Sequence, residues 1–402
     1  MKIFVLFLTV IVTALIVSSC AKAEEVEYDH QIITDGINQL TFDILPLLNN
    51  QNTFFSPYSI SSALAMTYAG ARGNTEQEMS QVLYFAEDQK VFHPSFQKLN
   101  QELENRKREG IVLNNANALW VDYTANLSND FLNLNNRYYG AGAERLDFFR
   151  ETEASRLHIN EWVEEKTEEK IKDLLSPGDV TPDTRLILTN AIYFLGSWLE
   201  EFNPEMTREQ NFYVTPQRGT RVPFMRRDDS LQYVEKADYQ MVQLPYTGEE
   251  LAMVIILPKK DIPLASIIEN LDNDKFNEAL ESLTIEKVDL QLPKFKFEAK
   301  YNMKDMFRKL GMIEAFSEYA DFTAMTSDEE RFFIDEIIHQ AFVEVDEKGT
   351  EAAAATAVVM RTTSIDGPQP IIFRADRPFL FFINDTVTNT ILFSGTLINP
   401  QK

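Results

Sequence analysis

One cysteine, four histidines and 14 glycines among 402 residues leave little material for several common chemistries. With Cys20 alone, the chain forms no internal disulfide and holds no catalytic thiol elsewhere. His30, His93, His158 and His339 make no short cluster with cysteine and no His-Glu-x-x-His pattern, so no zinc motif is visible. His158 could share a helix face with Glu161 and Glu165, a grouping that a solvated helix surface explains better than a metal does. There is no Gly-x-Ser-x-Gly elbow and no phosphate-binding glycine loop. Carboxylates are abundant, but nothing singles out a catalytic pair. Basic residues are outnumbered, 38 Lys and Arg against 62 Asp and Glu, giving a net charge of −24. That balance argues against a nucleic-acid partner, which needs a basic patch to displace counterions, and fits a soluble, solvated surface. Scarce glycine also excludes a fibrous or low-complexity chain.

Long apolar runs are missing too, except at the start. Ile3 to Val17 follows Lys2 and is short for a membrane span of about 20 residues. It ends in Val17-Ser18-Ser19-Cys20, and small residues before a break fit a signal peptide. A cysteine in that place resembles a bacterial lipobox, which implies cleavage before Cys20 and lipidation of it. The alternative is an ordinary secretory signal with an incidental cysteine. The expected division is a signal peptide over 1–19, an acidic tether over 20–28 and one folded domain over 29–402. The protein is expected to be exported, lipid-anchored at the cell envelope or secreted.

Within the domain, apolar residues from Ile32 to Leu45 recur at helical spacing. Ser59 to Tyr68 is apolar on nearly every side, as in a helix buried all round. Residues 154 to 175 predict a charged surface helix, with Glu168 and Lys172 as an i,i+4 pair. Leu186 to Leu195 predicts a strand covered on both faces. Strands follow at short spacing. One is Leu251 to Leu257, and another spans Val288 to Phe297, where Pro293 marks a phase change read as a bulge or an edge. Asn302 to Leu310 predicts a helix, and Phe379 to Leu397 a hairpin. Helices early and strands late argue for α+β. No repeat and no linker divides the chain.

The most informative stretch follows a strand over Ile337 to Asp346, in which His339, Ala341, Val343 and Val345 share one face. It runs Glu347-Lys348-Gly349-Thr350-Glu351-Ala352-Ala353-Ala354-Ala355-Thr356. Alanine is the best helix former, so a short surface helix is one reading. The other is a segment able to slide between two strands of a sheet, because small side chains lower the cost of opening a close-packed interior. If it is extended, Thr350, Ala352, Ala354 and Thr356 share one face and Glu351 lies on the other. Polar residues, one glycine and two prolines between Val359 and Phe373 then predict an exposed loop, long for a plain connector.

This segment resembles the reactive-loop hinge of the serpins. Asn52-Thr53-Phe54-Phe55-Ser56-Pro57-Tyr58-Ser59-Ile60 resembles the start of their central buried helix. Leu188-Thr189-Asn190-Ala191-Ile192-Tyr193-Phe194-Leu195-Gly196-Ser197-Trp198 resembles a central strand of their large sheet. Asp376-Arg377-Pro378-Phe379-Leu380-Phe381-Phe382-Ile383 and Gly395-Thr396-Leu397-Ile398-Asn399-Pro400 resemble their C-terminal strands. The resemblance implies a large central mixed sheet with covering helices, smaller C-terminal sheets and a reactive loop over about 347–372. It implies an inhibitor, not an enzyme, that needs no cofactor or metal and is a monomer. Its partner would be a serine protease, with a cysteine protease as the other candidate, held covalently after loop cleavage and insertion. The alternative within the family is a non-inhibitory carrier. The hinge would be Glu347, Gly349, Thr350, Glu351, Ala352, Ala353, Ala354, Ala355 and Thr356. Ser56, Ser59, Asn190 and His339 would set the stability of the closed sheet, and Trp198 would pack where the loop first enters. Family spacing places the reactive bond at Thr363-Ser364, suiting a protease with a small or shallow primary pocket. A shifted register would make it Arg361-Thr362, suiting an acidic, trypsin-type pocket.

Overall fold

Proline at its first position and Ser56 as N-cap start a helix over Pro57–Tyr68, and every one of its residues is buried. The computed structural model describes residues 29–48, 51–140, 142–326, 332–350 and 369–401. Within these, the Pro57–Tyr68 helix packs on two sheets at once, which is why it has no polar face. The preceding helix, Gln31–Ile44, keeps the ordinary apolar stripe.

The first sheet has six strands in the order Phe295–Asn302, Glu336–Val345, Gly349–Thr350, Leu186–Ser197, Ile111–Asp122, Ala143–Leu146. Its inner face meets the Pro57–Tyr68 helix. Its outer face carries the Thr152–Lys166 helix over a smaller core of Trp120, Ile159, Val163, Ile187 and Ile338. The second sheet has nine strands and includes the hairpin Phe379–Asp385 and Thr390–Leu397. The architecture is α+β with large mixed sheets, as the resemblance implied. The C-terminal strands, however, belong to the larger nine-stranded sheet and not to smaller ones.

Four local expectations change. At Pro293 there is no bulge, and the phase change marks a change of sheet that leads into an edge strand. Thr284–Pro293 belongs to the nine-stranded sheet and Phe295–Asn302 to the six-stranded one, so the chain changes sheets at Lys294. The charged helix ends at Lys166, because Glu168 and Glu169 take left-handed backbone (φ 52° and 61°). Lys172 therefore pairs with Glu164 at 2.6 Å, and Glu168 bonds Asn114 instead. The loop predicted over 347–372 is trimmed at both ends. Gly349–Thr350 is paired within the six-stranded sheet, and Ile371–Arg374 is a strand beside Val288–Gln291. His158 meets Glu144 across 2.7 Å and not Glu161 or Glu165. The signal peptide, Cys20, the tether, Glu351 to Thr356 and the bonds Arg361-Thr362 and Thr363-Ser364 all lie outside the described residues.

Candidate functional site

The six-stranded sheet contains one parallel pairing at its centre. Glu336–Ala341 runs alongside Ile187–Ile192 in register, with His339 opposite Asn190. Beyond Ala341 the two strands part. Gly349–Thr350 fills the gap, antiparallel to both, with Thr350 opposite Val345 on one side and Gly196 on the other. A glycine is required there: a Cβ on residue 349 would sit 2.1 Å from the Gly196 carbonyl oxygen. Thr350 is only 1% exposed, and its hydroxyl meets the Tyr246 hydroxyl at 2.7 Å.

Side chains from four distant segments clasp this entrance. The Trp198 ring stacks on Tyr246 with centroids 4.7 Å apart and planes 7° from parallel, and its Nε1 donates to the Asp346 carbonyl at 3.0 Å. The backbone N–H groups of Trp198 and Phe202 donate to the carbonyls of Lys348 and Glu347. Glu347 accepts from Lys294 Nζ at 2.6 Å and from the Thr207 hydroxyl at 2.8 Å. Burial pushes the Glu347 carboxyl up, but Lys294 and Thr207 pull it further down, so it lies below the ordinary glutamate value. The carboxylate is thus ionised where it holds the hinge.

Lower down, the parallel pair is locked from beneath. The Ser56 backbone N–H donates to His339 Nε2 at 3.1 Å, so the ring proton sits on Nδ1 and is donated to Asn190 Oδ1. The Asn190 amide donates in turn to Ser59 Oγ and Asn117 Oδ1. Ser59 Oγ lies 2.6 Å from Asn115 Oδ1, and Ser56 Oγ donates to the Leu392 carbonyl at 2.6 Å. His339 is fully buried, and burial lowers its pKa to about 3 against the Asn190 contact that raises it. Protonating Nε2 would also turn it into a donor facing the Ser56 N–H. Three strands, the helix N-terminus and the C-terminal hairpin therefore meet in one hydrogen-bonded knot.

The structure brings Ser56, Ser59, Asn190 and His339 together in that knot, and places Trp198, Glu347, Gly349 and Thr350 at the entrance above it. Sequence reading missed Tyr246, Lys294, Thr207, Asn115 and Asn117. The last two carried a signal: they share the strand parity of Ile111, Leu113, Leu119 and Val121, the face that meets the core. Among the described residues, no group of His, Cys, Asp or Glu is placed to hold a metal ion.

Comparison with known proteins gives a consistent result. The family model described as "Serpin (serine protease inhibitor)" matches residues 35–400. An uncharacterised serpin-like protein of Thermococcus kodakarensis is 40% identical over 372 residues, covering 92% of this chain and 86% of its own. Human Serpin B8 is 43% identical over 356 residues, covering 88% and 94%. Among solved structures, human thyroxine-binding globulin in complex with thyroxine superposes with TM-score 0.84 at 27% identity, covering 92% of this chain and 99% of that one. Serpin48 of the insect Tenebrio molitor gives TM-score 0.82 at 30% identity, with 92% and 98% covered.

Proposed function

Since the chain belongs to the serpin family, a family of protease inhibitors, we propose that it inhibits serine proteases irreversibly by trapping them on a cleaved loop. The observation that carries this reading is the entrance: Gly349–Thr350 already lies between the two strands that a longer insert would have to separate. The sequence beyond it, Glu351 to Thr356, offers only small residues on the face that would turn inward. In this mechanism the protease nucleophile attacks the carbonyl of the reactive bond and forms an acyl-enzyme. The freed hinge then continues the antiparallel strand begun at Gly349. The tethered enzyme is carried along and distorted before water releases it. The chain itself supplies no catalytic group. His339, Asn190, Ser56 and Ser59 set how strongly the sheet resists opening, and Trp198 and Tyr246 form the entrance.

The test is to mix the purified protein with elastase-like, subtilisin-like and trypsin-like enzymes and look for a denaturant-resistant adduct. Mass spectrometry of the released C-terminal peptide identifies the bond. A peptide starting at Ser364 with an elastase-like enzyme is the expected result, and one starting at Thr362 with a trypsin-like enzyme moves the bond to Arg361. Cleavage without any adduct would instead favour the carrier reading, which the likeness to thyroxine-binding globulin keeps specific.

Anchoring is a separate proposal. Val17-Ser18-Ser19-Cys20 supports lipidation at Cys20. Acyl chains hold a protein to a bilayer by roughly 0.8 kcal/mol per buried methylene, and stable anchoring takes more than one chain. Cys20→Ser is expected to move the protein from the detergent phase to the aqueous one. Unchanged partitioning would mean a plain export signal.

A further inference from the structure

The Ile111–Asp122 strand pairs with Ala143–Leu146 only over Leu119–Asp122, so Ile111–Ala118 forms a free margin of the six-stranded sheet. Against that margin opens a cavity of about 1180 Å³, bordered by the Gln89–Glu104, Asn129–Tyr139 and Thr152–Lys166 helices. Eight asparagine or glutamine side chains and five aromatic ones line it. Its charges nearly cancel, with Glu104, Glu144, Glu165 and Glu168 against Lys107, Arg137 and Lys166.

This chemistry selects among ligands. A polyanion gains no net attraction from a balanced lining. A wholly apolar ligand would leave the amides without partners. A neutral polyhydroxylated molecule suits both components, since amides donate to and accept from hydroxyls while aromatic rings cover carbon-bound hydrogens. The volume exceeds the usual range of about 300–1,000 Å³ for small-molecule pockets, which favours several sugar units over one. The amides are also oriented. The Tyr58 hydroxyl donates to Asn100 Oδ1 at 2.9 Å, which turns the Asn100 nitrogen out as a donor. Gln97 Nε2 donates to the Arg137 carbonyl at 2.7 Å and Asn114 Nδ2 to Glu168 at 3.1 Å, which turns their oxygens out as acceptors.

The cavity wall is continuous with the knot under the sheet. Asn115 lines the cavity and accepts from Ser59, which is bonded through Asn190 to His339. We propose that this cavity binds a neutral oligosaccharide, and that the bound sugar ties the sheet margin to the surrounding helices and so favours the closed sheet. The second clause rests on the inhibitor reading; the first does not. A ligand that binds one state better than another shifts the population toward the first.

The test uses the full-length protein with maltotetraose and chitotetraose as probes, followed by calorimetry and by tryptophan fluorescence, since Trp120 and Trp162 line the cavity. Saturable binding of at least one sugar is expected, weakened about tenfold or more in Asn100→Ala, with each tenfold loss equal to 1.4 kcal/mol. Gln97→Ala serves as a second reporter should Asn100→Ala fail to fold. A heparin tetrasaccharide is expected not to compete. The bound sugar should raise the melting temperature and slow adduct formation with protease severalfold. Absence of saturable binding, preference for heparin, or binding of a short strand-forming peptide in place of sugar would each overturn the site. Sugar binding with an unchanged melting temperature and adduct rate would overturn the coupling. Because binding is read without protease, its failure leaves the inhibitor reading intact, and a protein that binds sugar but traps no protease fails the other way.

Discussion

Thr350→Arg is expected to convert the protein from an inhibitor into a substrate, with the yield of covalent adduct falling by about tenfold or more. Thr350 is 1% exposed, flanked by Val345 and Gly196 and bonded to Tyr246. A guanidinium in that slot would replace the Thr350 hydroxyl that meets Tyr246, and an unpaired buried charge costs several kcal/mol. The arginine would either hold the hinge out of the entrance or stop its advance, leaving time for water to release the protease. Thr350→Val removes the hydroxyl but keeps the volume and should still trap. Melting supplies a second readout. A single cut in the loop should raise the melting temperature of the wild type by about 10 °C or more, since a domain of this size shifts by about 1 °C per kcal/mol and a fully inserted strand adds on the order of 10 kcal/mol of pairing. The arginine variant should lose that gain. Full-stoichiometry trapping by Thr350→Arg would sink the insertion mechanism.

The second large effect is on the closed sheet itself. Asn190→Ala leaves His339 Nδ1, Ser59 and Asn117 without a shared partner inside the core, and should destabilise the protein by about 2–4 kcal/mol. Acid should strike the same place. His339 has its pKa lowered from 6.5 to about 3 by burial, and His93 likewise by burial and then by Arg72. In both cases the unfolded chain binds more protons than the folded one between these values. Stability therefore falls as pH drops below about 6.5 and levels off only near 3. From pH 7 to 5 the loss is about 2 kcal/mol for each histidine. Denaturant melts at the two pH values measure it, and equal midpoints would mean that neither ring is held neutral.

Much of this arrangement was legible in the chain because it is written locally. The all-round apolar helix, the doubly covered strand and the alternating strand before the hinge each carry their own period, and all three lie where expected. The knot residues His339, Asn190, Ser56 and Ser59 were reached only through resemblance, since they are far apart in sequence and no spacing joins them. Tyr246, Lys294 and Thr207 were not reached at all. Each is an ordinary residue whose role exists only because strands from distant parts of the chain end beside Glu347 and Thr350. Pro293 shows another limit. A change of phase looks the same locally whether a strand bulges or passes to another sheet, and only the partners decide. Gly349–Thr350 falls within the expected bounds of the loop for the converse reason: two small residues form a strand once both neighbours are supplied.

The parallel contact between Glu336–Ala341 and Ile187–Ile192 has a consequence for direction. Parallel ladders are slightly weaker per residue than antiparallel ones. Gly349–Thr350 is antiparallel to both neighbours, so an insert continuing from it would first fill the stretch above the Ala341–Ile192 rung, and from that rung on each residue would exchange one parallel rung for two antiparallel ones. Insertion as proposed above would be a displacement reaction, like one nucleic-acid strand replacing another by stepwise migration from an open fork. Such a reaction would need no large opening at any moment, only the next rung to yield, and it would start from a fork that is already formed. His339 and Asn190 face each other on the fourth rung from the far end, so on that path their hydrogen bond would have to break before an insert could pass.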